Sequence, residues 1–395
     1  MSDTAQQHYQ LGQNAYEQGA VEEAIAHWDN ALALDPDHLE AWYSKGHALG
    51  SAGKWEEALA CFDRALAIDA GHKGSWYFRG VVLAKLRRLE EALQSYDRAL
   101  KLDGEMADAW AGKGVLLGEM GRHGEAVECF SRALAGSPLD IDTWYNKGVS
   151  LMRAGRRDEA MNAFEVAAGL RPEFAPAHYN MGLILWEEGS PGEALAAFDR
   201  ALAADPRFVE AWVRKGAALA ELAREEEALK CFDAAIEVDP ADAAAWNERG
   251  SLIWHLGRKK EAVESFEKAL QLDPTSPRAW FNKGNAMARL GRSQEALDSF
   301  DRALELGPRS ADVWYSRGVT LQEMGRPAEA LRAFEEALAI DQAHADAWQS
   351  RGLALMDTGH LEEAARSFDR VLELDPGRED AREARRMLSE ELRRI

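Results

Sequence analysis

Residues 278–300 read RAWFNKGNAMARLGRSQEALDSF, and the tryptophan, glycine, alanine and phenylalanine positions of this stretch recur along the chain with a constant period of 34. Trp280 is followed four places later by Gly284, and Ala296 is followed four places later by Phe300. A fixed period of this length indicates an array of small helical units, each of which can bury its apolar face only against a neighbour.

The period holds over almost the whole chain, and four residue series carry it. The tryptophans are Trp42, Trp76, Trp110, Trp144, Trp212, Trp246, Trp280, Trp314 and Trp348, and His8 and His178 fill the two other places. Glycines follow at Gly12, Gly46, Gly80, Gly114, Gly148, Gly182, Gly216, Gly250, Gly284, Gly318 and Gly352. Alanines run from Ala24 to Ala364, and aromatics from Trp28 to Phe368. The spacing predicts eleven repeats over residues 5–378, starting at 5, 39, 73, 107, 141, 175, 209, 243, 277, 311 and 345.

Each repeat is predicted to contain two helices. The first runs from about two residues before the Trp to a Gly such as Gly291, which suits a left-handed C-cap. Pro191 and Pro327 fall in the first turn of the second helix, where proline removes no hydrogen bond. The second helix ends near Asp-Pro pairs such as Asp205-Pro206, because proline cannot continue it.

This pattern resembles the tetratricopeptide repeat, in particular the form found in bacteria and methanogenic archaea. The residues that carry the resemblance are, in one repeat, Trp144, Lys147, Gly148, Leu151, Gly155, Ala160, Phe164, Ala167 and Pro172. The resemblance implies an all-α fold, a right-handed superhelix (α-solenoid) of eleven helix-turn-helix repeats. Nine repeats carry Lys or Arg where the family more often has Leu, and we expect the stem to pack while the charge reaches water. Residues 379–395 resemble the capping helix that covers the last repeat.

The amino-acid composition limits the classes of partner that we expect. The sequence includes 68 acidic and 47 basic side chains, a formal charge of −21. This balance disfavours a nucleic-acid partner, because phosphates select an excess of Lys and Arg. No run of apolar residues is long enough for a transmembrane helix, and no secretory signal opens the sequence, so we expect a cytoplasmic protein with no membrane insertion.

The residue patterns of enzymes and metal sites are missing from the sequence. Cys61, Cys129 and Cys231 share one place in their repeats and are expected to be packing residues rather than a metal or redox set. The histidines show no metal-ligand spacing, and there is no phosphate-binding or nucleophile motif. We therefore expect a protein that is not an enzyme and holds no cofactor.

The resemblance implies that the first helices line a concave groove in which family members bind partners. The candidate groove residues are Tyr145, Asn146, Tyr179, Asn180, Trp186, Arg214, Asn247, Trp254, His255, Arg278, Phe281, Asn282, Asn285, Arg289 and Tyr315. The family's clamp for chaperone tails needs a Lys in the fifth place of a repeat, which no repeat has.

The most specific cluster is Arg278, Asn282, Asn285 and Arg289 with Phe281, which would share one helix face. One hypothesis is a pocket for an acidic or carboxylate-bearing part of a partner. The alternative is a set of ordinary ion pairs between repeats, since Asp312 and Glu323 occupy the places of Arg278 and Arg289 one repeat later.

The function that these features favour is a protein interaction scaffold that binds a peptide or helix of a partner in its groove. The alternative is a structural subunit that assembles with copies of itself. The sequence leaves open the partner, its pathway, the binding face, the oligomeric state and whether these regular repeats are natural or engineered.

Overall fold

The structure, a computed structural model, describes residues 4–307 and 309–393. These residues form helices and connecting turns with no strand, which confirms the predicted all-α repeat fold. The chain divides into two compact units, the first ending at Ala204 and the second beginning at Asp205. None of the described helices is both long enough and apolar enough to cross a membrane.

The first unit contains six helix pairs. Its helices are α1 Ala5–Glu17, α2 Val21–Leu34, α3 Leu39–Ser51, α4 Trp55–Ile68, α5 Lys73–Lys85, α6 Leu89–Leu102, α7 Ala107–Glu119, α8 His123–Gly136, α9 Ile141–Arg153, α10 Arg157–Leu170, α11 Ala175–Glu187 and α12 Pro191–Ala204. Odd-numbered helices are the first helices of their repeats and even-numbered helices are the second.

The second unit contains five helix pairs and a last helix. Its helices are α13 Val209–Glu221, α14 Glu225–Val238, α15 Ala243–His255, α16 Lys259–Leu272, α17 Pro277–Arg289, α18 Ser293–Leu306, α19 Ala311–Glu323, α20 Pro327–Ile340, α21 Ala345–Asp357, α22 Leu361–Leu374 and α23 Glu379–Leu392. First helices such as α17 begin three places before the Trp, one place earlier than the sequence predicts.

The recurring glycine allows the two helices of a repeat to approach closely. A Cβ atom added to Gly284 would lie 2.6 Å from Cε1 of Phe300, a ring that is fully buried. The same collision recurs between Gly148 and Phe164, at 2.6 Å. The glycine is therefore required by the aromatic residue of the second helix and not by its own backbone conformation.

The recurring tryptophan fixes the turn that enters its repeat. Nε1 of Trp280 donates a hydrogen bond to the carbonyl oxygen of Pro274, at 2.9 Å. At the place where the sequence has His178, Nε2 makes the same bond to the carbonyl of Pro172, also at 2.9 Å. Because a carbonyl only accepts, His178 must carry its proton on Nε2. Histidine at this place thus makes the hydrogen bond that tryptophan makes in other repeats, although its ring is smaller.

The basic side chains before the glycines form a ladder of ion pairs between repeats. Each of the seven pairs named below joins one of these side chains to a carboxylate on the second helix of the preceding repeat, at a constant separation along the chain. The pairs are Lys45 with Asp29, Arg79 with Asp63, Lys113 with Asp97, Arg249 with Asp233, Lys283 with Glu267, Arg317 with Asp301 and Arg351 with Glu335. These cations also lie over the ring of the tryptophan that precedes them in their helix. The charges of these seven side chains are therefore paired. The sequence did not predict this pairing, because it depends on a carboxylate that the neighbouring second helix brings within reach.

Helix α23 continues the repeat pattern as one more first helix. Ala381 and Leu388 are fully buried against Phe368 and Val371 of α22. Arg385 donates to Asp369 at 2.7 Å, which adds a further rung to the ladder of ion pairs. The helix therefore covers the apolar face of the last complete pair, as a cap does.

Candidate binding groove

The predicted groove residues divide between the two units. Five lie on α9 and α11 of the first unit: Tyr145, Asn146, Tyr179, Asn180 and Trp186. Ten lie on first helices of the second unit: Arg214 on α13, Asn247, Trp254 and His255 on α15, Arg278, Phe281, Asn282, Asn285 and Arg289 on α17, and Tyr315 on α19. Nine of these ten lie on α17 or on α15 and α19, the first helices that contact it, whereas Arg214 lies one repeat further away.

A pocket of about 330 Å³ lies between α15 and α17. Trp254 and His255 line it from α15, and Asn282, Asn285 and Arg289 line it from α17. The structure therefore brings together five of the residues that the sequence predicts to share a site. Their mixture of indole, amide and guanidinium groups suits a polar ligand with an apolar portion.

A second pocket of about 360 Å³ lies on the other side of α17, against α19. Asn285 and Arg289 line this pocket too, opposite Tyr315, Ser316 and Glu323. Because the same two side chains face both pockets, the pockets form one polar stretch along three consecutive first helices.

The side chains of Asn285 and Arg289 have no partner among the residues that the structure describes. Neither makes a hydrogen bond or an ion pair with another residue of the described chain, and the Arg289 side chain is exposed. An amide can both donate and accept hydrogen bonds, and a guanidinium presents several donors in a fork that fits a carboxylate. This part of the helix can therefore bind a ligand without first breaking contacts.

The ion pairs that would have explained the basic residues as scaffold do not form among the described residues. Arg278 pairs with Glu248 of α15, with Nη1 2.5 Å from Oε1, rather than with Asp312. Asp312 lies 3.7 Å from Nε2 of His344. Arg278 is thus part of the scaffold, whereas Arg289 has no ion pair within the described part of the chain.

Comparison with known families agrees with the repeat geometry. The sequence profile described as "Tetratricopeptide repeat" matches residues 9–72, 43–107, 111–173, 226–277 and 315–379. Two further profiles of the same description match residues 185–250 and 275–343. The chain belongs to the tetratricopeptide repeat family. No curated protein matches its sequence.

Solved structures share the tetratricopeptide fold at low sequence identity. The crystal structure of the APC/C hetero-tetramer Cut9-Hcn1 is 14% identical, with a TM-score of 0.54, and the match covers 98% of this chain and 96% of that one. Yeast Tom70 is 16% identical over 99% of this chain and 96% of its own, with a TM-score of 0.48. YrrB, titled a TPR protein with an unusual peptide-binding site, is 25% identical over 50% of this chain and 98% of its own, with a TM-score of 0.41. The first of these likenesses supports the fold and nothing narrower.

The aromatic residues at the fifth place of the tetratricopeptide repeats pack into the scaffold. The ring of Phe281 lies 6.1 Å from that of Phe300, and the ring of Tyr315 lies 6.1 Å from that of Phe334. Tyr145 also packs against Phe174, at 5.3 Å. All three side chains are half-buried. One side of each ring is therefore used by the core, which leaves an edge or face for a ligand.

Two of the predicted asparagines are occupied by contacts within the chain. Asn282 donates to Oδ1 of Asn247 at 2.9 Å and lies 3.2 Å from Oγ of Ser251. Asn180 donates to the carbonyl of Pro176, one turn earlier on its own helix, at 2.8 Å. Asn282 therefore links α17 to α15, and both amides are less available to a ligand than Asn285.

Sequence reasoning missed Glu248, which binds Arg278. It lies at the same place in its repeat as Asn282, so its spacing is the signal that could have identified it. Glu323, which the sequence offered as a partner of Arg289, lines the pocket beside it without forming an ion pair among the described residues. In the first unit, Asn146 lines a smaller pocket of about 260 Å³ with His123.

Proposed function

We propose that this tetratricopeptide repeat protein is a non-catalytic scaffold that binds an extended segment of a protein partner along α15, α17 and α19. The observation that carries the proposal is the pair of pockets on either side of α17, which share the free side chains of Asn285 and Arg289. Membership of the family supports the general role of protein interaction.

The pockets indicate which chemistry the partner presents. Arg289 would bind a carboxylate, from an acidic side chain or a chain end, in a bidentate hydrogen bond. Asn285 would bind a backbone amide of an extended segment, because it can satisfy both the donor and the acceptor. Trp254 and Tyr315 would pack against an apolar side chain at either end.

A cytoplasmic location belongs to the same proposal. Cys61 and Cys129 are buried and remain thiols. Thiols persist most readily in a reducing compartment, and the cytoplasm is the common one.

The partner can be identified through the site itself. A photo-cross-linking amino acid at Asn285 in the native host would attach the bound protein covalently, and mass spectrometry would locate the cross-linked segment. Binding of that segment, as a purified peptide, is then measured by calorimetry. We expect Arg289→Glu to weaken it at least about tenfold, because a hydrogen-bonded charge pair becomes a repulsion.

The control has the same charge change outside the site. Lys260 lies exposed on the second helix α16, and Lys260→Glu should leave the affinity unchanged. Asn285→Ala should weaken binding while the circular dichroism of the protein stays the same. If Arg289→Glu binds as tightly as Lys260→Glu, the groove around α17 is not the binding site.

A further inference from the structure

The ladder of ion pairs is interrupted in the first unit, between α10 and α11. At the place where nine repeats have Lys or Arg, the repeat of α11 has Met181, which is buried. Its carboxylate partner is nevertheless present, because Glu165 of α10 stands in register with the other acidic members of the ladder. Glu165 has no ion pair with any residue of the described chain.

A pocket of about 570 Å³ occupies the place that the missing cation leaves. Its apolar lining includes Met161, Met181 and Leu185. The smaller His178 at the tryptophan place removes the ring over which the cation lies in the other repeats. The pocket lies over Met181 and Leu185 of α11, between the second helices α10 and α12.

The charges around the pocket are predominantly negative. Four carboxylates line it, those of Asp158, Glu165, Glu188 and Glu193, against a single guanidinium, that of Arg200. None of the five is paired with another described residue, and no group of three or more His, Cys, Asp or Glu side chains in the described chain is placed to hold a metal ion. An apolar floor with a carboxylate rim matches the aliphatic stem and the charged head of Lys or Arg.

We propose that this pocket receives a lysine or arginine side chain from a partner protein, which completes the ladder from outside the chain. The ladder itself is the template for the contact. In other rungs of the same unit, the guanidinium of Arg79 binds Asp63 at 2.7 Å and the ammonium of Lys113 binds Asp97 at 2.6 Å. Glu165 presents a carboxylate at the same place in its repeat. The site shares no residue with the groove around α17, and it selects a basic rather than an acidic segment.

The test uses the full chain with ¹³C-labelled methionine methyl groups, because Met161 and Met181 report from the pocket floor. The probe is a short acetylated and amidated peptide in which one arginine is flanked by leucine and alanine. We expect both methyl resonances to shift saturably with the peptide. A matched peptide with citrulline in place of arginine has nearly the same shape and no charge, and it should bind about fivefold more weakly or worse.

Variants separate the pocket from the net negative charge of the protein. Glu165→Gln should weaken binding of the arginine peptide by the same factor. Glu128→Gln, an equal change at an exposed position of α8, should leave the affinity of this peptide unchanged. Met181→Lys should abolish the Met161 shift, because it fills the site from within the chain. The proposal is overturned if neither methyl responds, if the two peptides bind equally, or if both glutamine variants behave alike.

Discussion

The residue after the C-cap of each first helix has a left-handed backbone conformation, and glycine supplies it in nine repeats. Gly257 and Gly291 have φ of 77° and 74°. Two repeats depart from this rule, with Arg87 at 59° and Ala223 at 55°. A side chain in this region costs about 1–2 kcal/mol relative to glycine, because Cβ crowds the following carbonyl. These two residues are therefore the local defects of an otherwise regular array.

Ala223→Gly is expected to stabilise the protein by about 0.5–1 kcal/mol, since relief of backbone strain exceeds the added entropy of the unfolded chain. Ala223 is exposed, so the change removes no packing. The free energy of unfolding in denaturant measures the effect. Gly257→Ala, at the same place of the next repeat, is the reverse control and should destabilise the protein by about 1 kcal/mol. The added Cβ would meet no atom within 4 Å, so this cost comes from the left-handed backbone conformation alone. Equal signs for the two changes would contradict the explanation.

Burial raises the pKa of the Cys61 and Cys129 thiols to about 11. The thiolate is the reactive form, so the native thiols should react with a disulfide reagent at neutral pH roughly a hundredfold more slowly than an exposed cysteine. Because the folded pKa is raised, the unfolded thiol ionises first, and stability should fall as the pH rises from about 9 towards 11.

The control for this prediction is the Glu264→Cys variant, which places a thiol at an exposed position of α16. Reaction of the native chain with the reagent is followed by absorbance before and after unfolding in guanidinium. Native thiols that react as fast as the introduced one would show that these sites are accessible and ionised.

At the scale of the element, the ladder of ion pairs explains which helices hold their neighbours by charge as well as by apolar contact. The ladder position of Lys147 on α9 has a cation but no carboxylate, because Ser131 of α8 occupies the place of the acidic partner. Its ammonium lies 5.1 Å from the centre of the Trp144 ring. Burial is the main cause that lowers the pKa of Lys147, while the charge of Glu159 raises this pKa by a smaller amount.

Ser131→Asp should complete this rung and stabilise the first unit by about 0.3–1 kcal/mol, as expected for a partly exposed pair. In the parent protein the lowered pKa of Lys147 means that the unfolded state binds more protons in the window below the ordinary value of 10.5. Stability therefore gains from rising pH through that window, and the variant should lose this gain. Unfolding experiments at several alkaline pH values measure both effects. Ser131→Asn has a similar size without the charge, and an equal response from it would exclude an ion pair.

Charge separates the two proposed binding surfaces at the same scale. Among the described residues, α17 presents an unpaired guanidinium and an unpaired amide in the groove, whereas α10, α12 and the C-cap of α11 present unpaired carboxylates. The scaffold beneath both surfaces has the same skeleton. We expect partner choice in such an array to depend on the few positions of a repeat that packing does not constrain.

At the scale of the whole molecule, stability is expected to be local, because each repeat contacts mainly its neighbours. Leu388 of α23 is fully buried against the last pair. Leu388→Ala should lower the opening free energy of α22 and α23 by about 2–5 kcal/mol, while the helices at the start of the second unit change little. Hydrogen exchange followed by mass spectrometry resolves the helices.

Arg386→Ala is the matched control for this prediction, since Arg386 lies exposed on the same helix. It stands at the place of the recurring glycine, where no aromatic ring of a following helix approaches in the described part of the chain. A uniform loss of protection over all helices after Leu388→Ala would show that the repeats unfold as one unit rather than locally.

Much of this protein could be predicted from its sequence alone. The period of 34, the glycine that faces each aromatic ring and the Asp-Pro turns specify eleven helix pairs, because each of these features is a local requirement of helix length, capping or close packing. The same regularity identified which residues of α17 the period does not require, and so where a binding site could be sought.

Only the tertiary structure decided which of those residues are free. Asn282 is bound by Asn247 and Ser251, and Arg278 by Glu248, whereas Asn285 and Arg289 remain unpaired among the described residues. It also decided that the basic series pairs with carboxylates of the preceding repeat. Such choices depend on distances between side chains of different repeats, which a period along one chain does not contain.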